Sequence, residues 1–168
     1  MRILVLSDSH HAMSFMEECA EKRKPDCILH LGDYYPDGFD LKQLFPNIAF
    51  YQVPGNCDAY TCREDLPLVL MPRLGGCNVY MTHGHRHNVK LTLWPLLRDA
   101  RQAGAQIALY GHTHIPDCHY EDDGLLVMNP GSAGYGGTAG WLELENGVIK
   151  DCRILTGADL EEETWSLR

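Results

Sequence analysis

Apolar positions along the chain follow one rhythm in the first two thirds and another in the last third. Continuous apolar runs at Arg2–Ser7, Cys27–Leu31, Ile48–Val53, Cys77–Thr82 and Ile107–Tyr110 predict strands buried on both faces. Val69–Leu74 reads as weakly extended. Between the first two runs, Ala12, Phe15, Met16, Cys19 and Ala20 fall on one helical stripe that continues to Arg23. Ser14, three residues before Glu17, predicts a capping box at its start. A loop with Pro36 and Gly38 leads to a short predicted helix near Leu41–Phe45. A longer helix is predicted over Leu93–Ala103, with Leu93, Leu97 and Ala100 on one face and Gly104 at its end.

After residue 110 no helix-length pattern intervenes until the tail. His119–Tyr120, Leu125–Met128, Gly140–Leu144 and Val148–Leu155 predict strands, with hairpin turns at Asp123-Gly124 and Asn146-Gly147. This part is expected to be an antiparallel meander. Residues 157–168 are expected to form a surface helix or a frayed tail. Alternating strand and helix followed by hairpins predict an α/β (α+β) fold, with two sheets packed face to face and helices outside. No repeat, low-complexity tract or linker divides the 168 residues, so one domain over 1–168 is expected.

Composition narrows the function. Hydrophobic residues make up 45% and charged residues 22%, a globular profile rather than a disordered one. The formal charge of −9 argues against a grip on long nucleic acid, which needs a basic face. No run approaches the roughly 20 apolar residues of a membrane span. Seven cysteines, none in Cys-x-x-Cys spacing and with no secretory signal ahead of them, point to reduced thiols and a cytoplasmic location. Nine histidines are many for this length.

The histidines fall into a pattern. Five polar clusters each sit at the carboxyl end of a predicted strand: Asp8-x-His10, Gly32-Asp33, Gly55-Asn56-Cys57-Asp58, His83-Gly84-His85 and Gly111-His112-Thr113-His114. Ligands of open α/β sheets bind outside the carboxyl ends of the strands. Asp8, His10, Asp33, Asn56, His83, His112 and His114 are therefore candidate metal ligands. Carboxylate, imidazole and amide oxygen together suit Mn, Zn, Fe or Ni rather than a thiolate zinc site. One tetrahedral ion takes about four ligands, so seven with a shared carboxylate suit two ions. A pair of divalent ions about 3.5–4 Å apart is the usual device for phosphoryl transfer.

This series of motifs resembles the calcineurin-like metallophosphoesterase superfamily. The compact length, Gly55-Asn56-Cys57-Asp58 and Asn129-Pro130-Gly131-Ser132 resemble its small prokaryotic YfcE-like phosphodiesterase branch. The resemblance spans roughly residues 1–154 and implies a four-layer αββα sandwich of two mixed sheets. It places Asp8, His10, Asp33 and His114 around one ion, and Asp33, Asn56, His83 and His112 around the other, with Asp33 bridging. It implies two divalent ions (Mn first; Zn, Fe, Ni or Mg as alternatives) and a bridging hydroxide as nucleophile. The implied substrate is a small phosphodiester. A phosphomonoesterase and a non-catalytic scaffold like the retromer subunit of the same fold are the alternatives.

One departure concerns proton transfer. Many members of the superfamily carry Gly-Asn-His-Glu, whose His serves the leaving oxygen; here Cys57 and Asp58 stand in those places. A thiol is a poor substitute for imidazole. Either His85 takes over the acid role or activity is restricted to good leaving groups; Cys57 also reads as a packing residue. Arg86 reads as a phosphate contact or a surface residue, His11 as a solvent-facing residue at a helix entrance, and His30 and His119 as ordinary strand residues. Tyr34, Tyr35 and Tyr60 read as loop packing or as stacking partners for an aromatic group. Trp94 and Leu96 are the exposed apolar residues expected at a homo-oligomer interface.

Overall fold

The computed structural model describes residues 1–60 and 65–165; the side chains of residues 59, 60 and 162–165 lie outside that description, and so does the stacking reading of Tyr60. Alternation of buried residues places each strand. In β1 (Arg2–Leu6), Ile3 and Val5 face one way and Leu4 and Leu6 the other, all fully buried. β1 pairs in parallel with β2 (Cys27–His30), which pairs in parallel with β3 (Ala49–Gln52). The long hairpin β10 (Thr138–Glu145) and β11 (Val148–Thr156) completes this first sheet, giving the order β11-β10-β1-β2-β3.

The second sheet has the order β4-β6-β7-β9-β8, with β5 also on β6. Its strands are β4 (Val69–Leu70), β5 (Arg73–Leu74), β6 (Cys77–Thr82), β7 (Ile107–Leu109), β8 (Asp117–Tyr120) and β9 (Leu126–Asn129). β6, β7 and β9 run parallel, whereas β4 and β8 are antiparallel to their neighbours. Both hairpins of the last third form as expected, but the meander does not. β9 pairs with β7 in the second sheet, and the chain then crosses to the first sheet before β10 begins. Hairpin turns dictate only local pairing; which sheet receives each hairpin is a tertiary matter.

Three apolar clusters define four layers. Between the sheets, Ile3, Val5 and Leu29 pack with Val79, Met81, Ile107, Leu109 and Met128. Outside the first sheet lie α1 (Met13–Arg23), α2 (Tyr35–Leu44) and α4 (Gly157–Trp165), through Met16, Cys19, Leu41 and Leu160. Outside the second lies α3 (Trp94–Gln102), through Leu96, Leu97 and Ala100. A fully buried Met16, Leu41 or Leu96 side chain contributes about 1.5–3 kcal/mol. The architecture is two mixed β-sheets flanked by helices. Among the described residues, no helix is long and apolar enough to cross a membrane.

Three local expectations are corrected and a fourth, the tail, is narrowed to the helix. α1 begins at Met13 without a side-chain cap, so Ser14 lies inside the helix; the Ser9 and His11 carbonyls receive the Ala12 and Met13 N–H groups instead. The second helix starts six residues earlier than expected, at Tyr35, with Pro36 in its first turn and the Asp58 carboxylate accepting the Tyr35 N–H. Leu96 is fully buried under the second sheet, whereas Trp94 is exposed with the Arg98 guanidinium over its ring. The tail is helical to Trp165 and packs Leu160 against α1.

Candidate metal centre

β1, β2 and β3 are mutually parallel, and so are β6, β7 and β9, so the five polar clusters leave the sheets at strand carboxyl ends. The chain turns sharply there. Asp8, His10, His11, Asp33, Tyr34, His112 and His114 all adopt positive φ, between 43° and 69°. A non-glycine residue in that region costs about 1–2 kcal/mol, and such strain gathers at functional sites. Two glycines serve close approach rather than turning: a Cβ on Gly55 would strike the Asp33 carboxylate, and one on Gly111 would strike Ser7 and Asp8.

Asp8, His10, Asp33 and His114 present ligand atoms that all lie within 4.8 Å of one another. Asp8 is fully buried. Its Oδ2 accepts from the Ser7 hydroxyl and from the His112 N–H at 3.1 Å, which leaves Oδ1 facing the centre. His114 Nε2 lies 3.1 Å from that oxygen. Asp33 Oδ1 accepts from the Cys57 N–H at 2.8 Å and lies 3.5 Å from His83 Nε2.

His83 joins the second set of side chains to Asp33. Its Nδ1–H donates to the Leu31 carbonyl at 2.9 Å, so its Nε2 carries a lone pair. That lone pair faces the Asn56 carbonyl oxygen at 3.1 Å, two acceptors with no proton between them. The His112 ring lies 5.1 Å from the His83 ring, and His85 lies 5.4 Å from His83 and 6.2 Å from His112.

Electrostatics favours a cation here. Burial pushes Asp8 up to about 6, against the opposing pull of Ser7 and His114. Burial also acts to raise Asp33, but His83 and the Cys57 N–H together hold it below the usual carboxylate range. Burial lowers His83 to about 3 and lowers His10, His85 and His112 as well, so these rings are neutral with lone pairs available. Asp8 Oδ1, His10 Nε2 and His85 Nδ1 are buried without a hydrogen-bond partner. Unpaired buried acceptors are costly, and a bound cation would satisfy Asp8 Oδ1 and His10 Nε2. The residues present therefore fit a divalent metal.

The remaining candidates occupy distinct positions. Asp58 is buried, and its two oxygens accept from the Gly55 and Tyr35 N–H groups at 2.7 and 2.8 Å. Cys57 is exposed, and burial of its sulfur and the neighbouring Asp33 push its thiol up to about 11. Arg86 is exposed beside His85. His87 is buried, bonded to the Tyr80 hydroxyl at 3.1 Å and near Asp99 at 3.5 Å, while His119 lies between Asp117 and Glu121. Tyr34 sets its ring edge-on to His10 and His11.

Three supports escaped sequence reasoning. Asp37, in the first turn of α2, accepts from the Ser9 hydroxyl and the His11 N–H, both at 2.8 Å, and so pins the loop that carries His10. Buried His30 stands behind it, with its Nε2 3.3 Å from Ser9 Oγ. Tyr135 stacks on His114 at 5.3 Å and tilts over His10 at 4.6 Å. The loop carrying Tyr135 is sewn to the first cluster: the Ser132 hydroxyl and the Gly134 N–H donate to the Asp8 carbonyl, and the Ala133 N–H to that of Ser7. The Asn129–Ser132 motif marks that loop in the sequence, but nothing in its spacing points to Tyr135.

A two-sheet sandwich with buried Asp8 and Asp33 and half-buried His10 and His114 gathered at its strand ends fits the class of metal-dependent phosphoesterases. The chain belongs to the calcineurin-like phosphoesterase superfamily, whose domain model matches residues 1–146. It is 32% identical over 136 residues to the Bacillus subtilis (strain 168) protein "Probable metallophosphoesterase YsnB", covering 79% of this chain and 75% of that one. A Mycoplasma pneumoniae protein named "Probable metallophosphoesterase" is 31% identical over 135 residues, covering 78% of each chain. A conserved Streptococcus pneumoniae TIGR4 protein, described as a predicted phosphoesterase, superposes with a TM-score of 0.74 at 29% identity, covering 92% of this chain and 88% of that one. Vps29 from Entamoeba histolytica, complexed with Zn2+, shares the fold with a TM-score of 0.69 at 19% identity, covering 92% and 98%. Family membership supports phosphoesterase chemistry, and the clustered Asp and His side chains are of the kind that holds a metal.

Proposed function

We propose that this protein hydrolyses small phosphodiesters at a centre of two divalent ions. The observation that carries the reading is that Asp8 Oδ1 and His10 Nε2 are buried without a hydrogen-bond partner while His83 Nε2, its other nitrogen engaged by Leu31, faces the Asn56 carbonyl oxygen. Asp8, His10, Asp33 and His114 would hold one ion, and Asp33, Asn56, His83 and His112 the other. Such ions, Mn foremost and Zn, Fe, Ni or Mg as alternatives, would supply a water of lowered pKa and a positive charge for the phosphoryl oxygens.

The chain's own residues set the geometry. Ser7 and the His112 N–H turn one oxygen of Asp8 away and leave the other facing inward. Leu31 fixes the tautomer of His83. His85, with a buried unpaired Nδ1 next to His83, is the side chain proposed to hold the proton for the leaving oxygen. Cys57 stands at the rim as a neutral thiol, and Asp58 ties its loop to α2.

Preference for a diester needs room for a second ester arm. A groove of about 480 Å3 is lined by Val89, Lys90, Tyr110, Thr113, Ile115, Pro116 and Asp117, of which Thr113 is the chain neighbour of His112 and His114. That volume suits a small organic group. The test is hydrolysis of bis(p-nitrophenyl) phosphate against p-nitrophenyl phosphate with Mn, Ni, Zn or Mg added. The diester is expected to turn over faster. Bound metal with no turnover of either ester would overturn the proposal and favour a partner-binding role on the same fold. Cys57→His is expected to raise the rate on a diester with a poor leaving group.

A further inference from the structure

Two cysteines face each other across the rim of the sandwich, away from every residue assigned above. Cys118 lies on β8, the outermost strand of the second sheet, opposite Met128. Cys152 lies on β11, the outermost strand of the first sheet, opposite Leu142. Met128 and Leu142 both belong to the core between the sheets, and residues directly opposite in a ladder share a face. Both thiols therefore point into the space between the sheets from the same edge.

The sheets converge at that edge. Cα atoms of β8 and β11 approach within 8 Å, closer than the roughly 10 Å between packed sheet faces. Cys118 and Cys152 lie within side-chain hydrogen-bonding reach of each other. Cys152 also donates to the Tyr120 hydroxyl at 3.7 Å, at the exposed rim. Burial, then the neighbouring Cys152, pushes the Cys118 thiol up to about 12, so Cys118 rests as a neutral thiol.

We propose that Cys118 and Cys152 form a site of reversible thiol–disulfide exchange that takes a small disulfide oxidant and closes a covalent staple between the two sheets. Cys152, at the exposed rim beside Tyr120, reacts first and gives its proton to water. Its sulfur attacks one sulfur of the oxidant, forming a mixed disulfide and releasing one thiolate, which takes up a proton. Cys118 then gives up its proton to water, and its sulfur attacks that of Cys152 and expels the second small thiolate. Two protein thiols are oxidised and one disulfide is reduced to two thiols.

The experiment treats the reduced full-length protein with oxidised glutathione. Two thiols per chain are expected to disappear, the mass to fall by two hydrogens, and peptide mapping to join Cys118 to Cys152. The Tm is expected to rise by about 5–10 °C and to return with dithiothreitol. Cys118→Ala is expected to stop at a glutathione adduct on Cys152 with no gain in Tm. Separate adducts on both cysteines of the wild-type chain, or a link between other cysteines, would overturn the proposal. The mapping needs no variant, so a poorly folding substitution does not blunt the test.

Discussion

Around Asp33 the candidate ligand side chains divide into two groups with different surroundings. The group of Asp8, His10 and His114 is braced from every side. Asp8 is fully buried and held by Ser7 and the His112 backbone. The His10 loop is pinned by Asp37, and the Tyr34 and Tyr135 rings lie against His10. The group of Asn56, His83 and His112 has one buried and fixed member, His83, but Asn56 is exposed on the loop that also exposes Cys57. A ligand set locked by its surroundings gives up less freedom on binding. The first group is therefore expected to bind its ion more tightly, and the second to exchange.

Asp33 is where the two groups meet, so its loss is expected to do the most. Asp33→Ala should abolish tight binding of both ions and lower kcat/KM on the diester by about a thousandfold or more, with the circular dichroism spectrum retained. Substantial residual rate would mean that the groups do not share this carboxylate. Asp37→Ala should separate them. Loss of a partner behind a ligand typically costs about 10–100-fold in metal affinity, and the loss should fall on the first group alone. The smallest effect is expected at Tyr135. Tyr135→Ala should weaken the first ion by about 2–10-fold, and Tyr135→Phe, which keeps the ring, should not. If Phe behaves like Ala, the hydroxyl rather than the stack carries the effect.

The candidate ligands were legible in the sequence as a cluster because each follows an apolar run closely. Parallel strands collect their carboxyl ends, so Asp8, Asp33, Asn56, His83 and His114 could be placed at one edge before any contact was known. The supports were not legible, for the same reason in reverse. Asp37 lies 28 residues from Ser9 within Pro36-Asp37-Gly38, which reads locally as a turn, and only the α2 start fixed by Asp58 makes it helical. Ser14 and Glu17 satisfied a local capping pattern that the carbonyls of Ser9 and His11 displaced. Leu96 lies four residues before Ala100 on the buried face of its helix, so reading it as exposed ignored the 3.6-residue period that packing on the second sheet enforces. The β9–β10 crossing, which brings Tyr135 to His10, is a choice between sheets that no turn signal encodes.

The most direct test is a calorimetric titration of the metal-free protein with Mn2+, run beside Asn56→Ala. Two binding events of unequal affinity are expected for the wild-type chain. The variant should retain the tighter event and lose the weaker one together with diester hydrolysis. A single event in the wild-type chain, or a variant that loses the tighter event instead, would contradict a centre built from one braced and one open ligand group sharing Asp33.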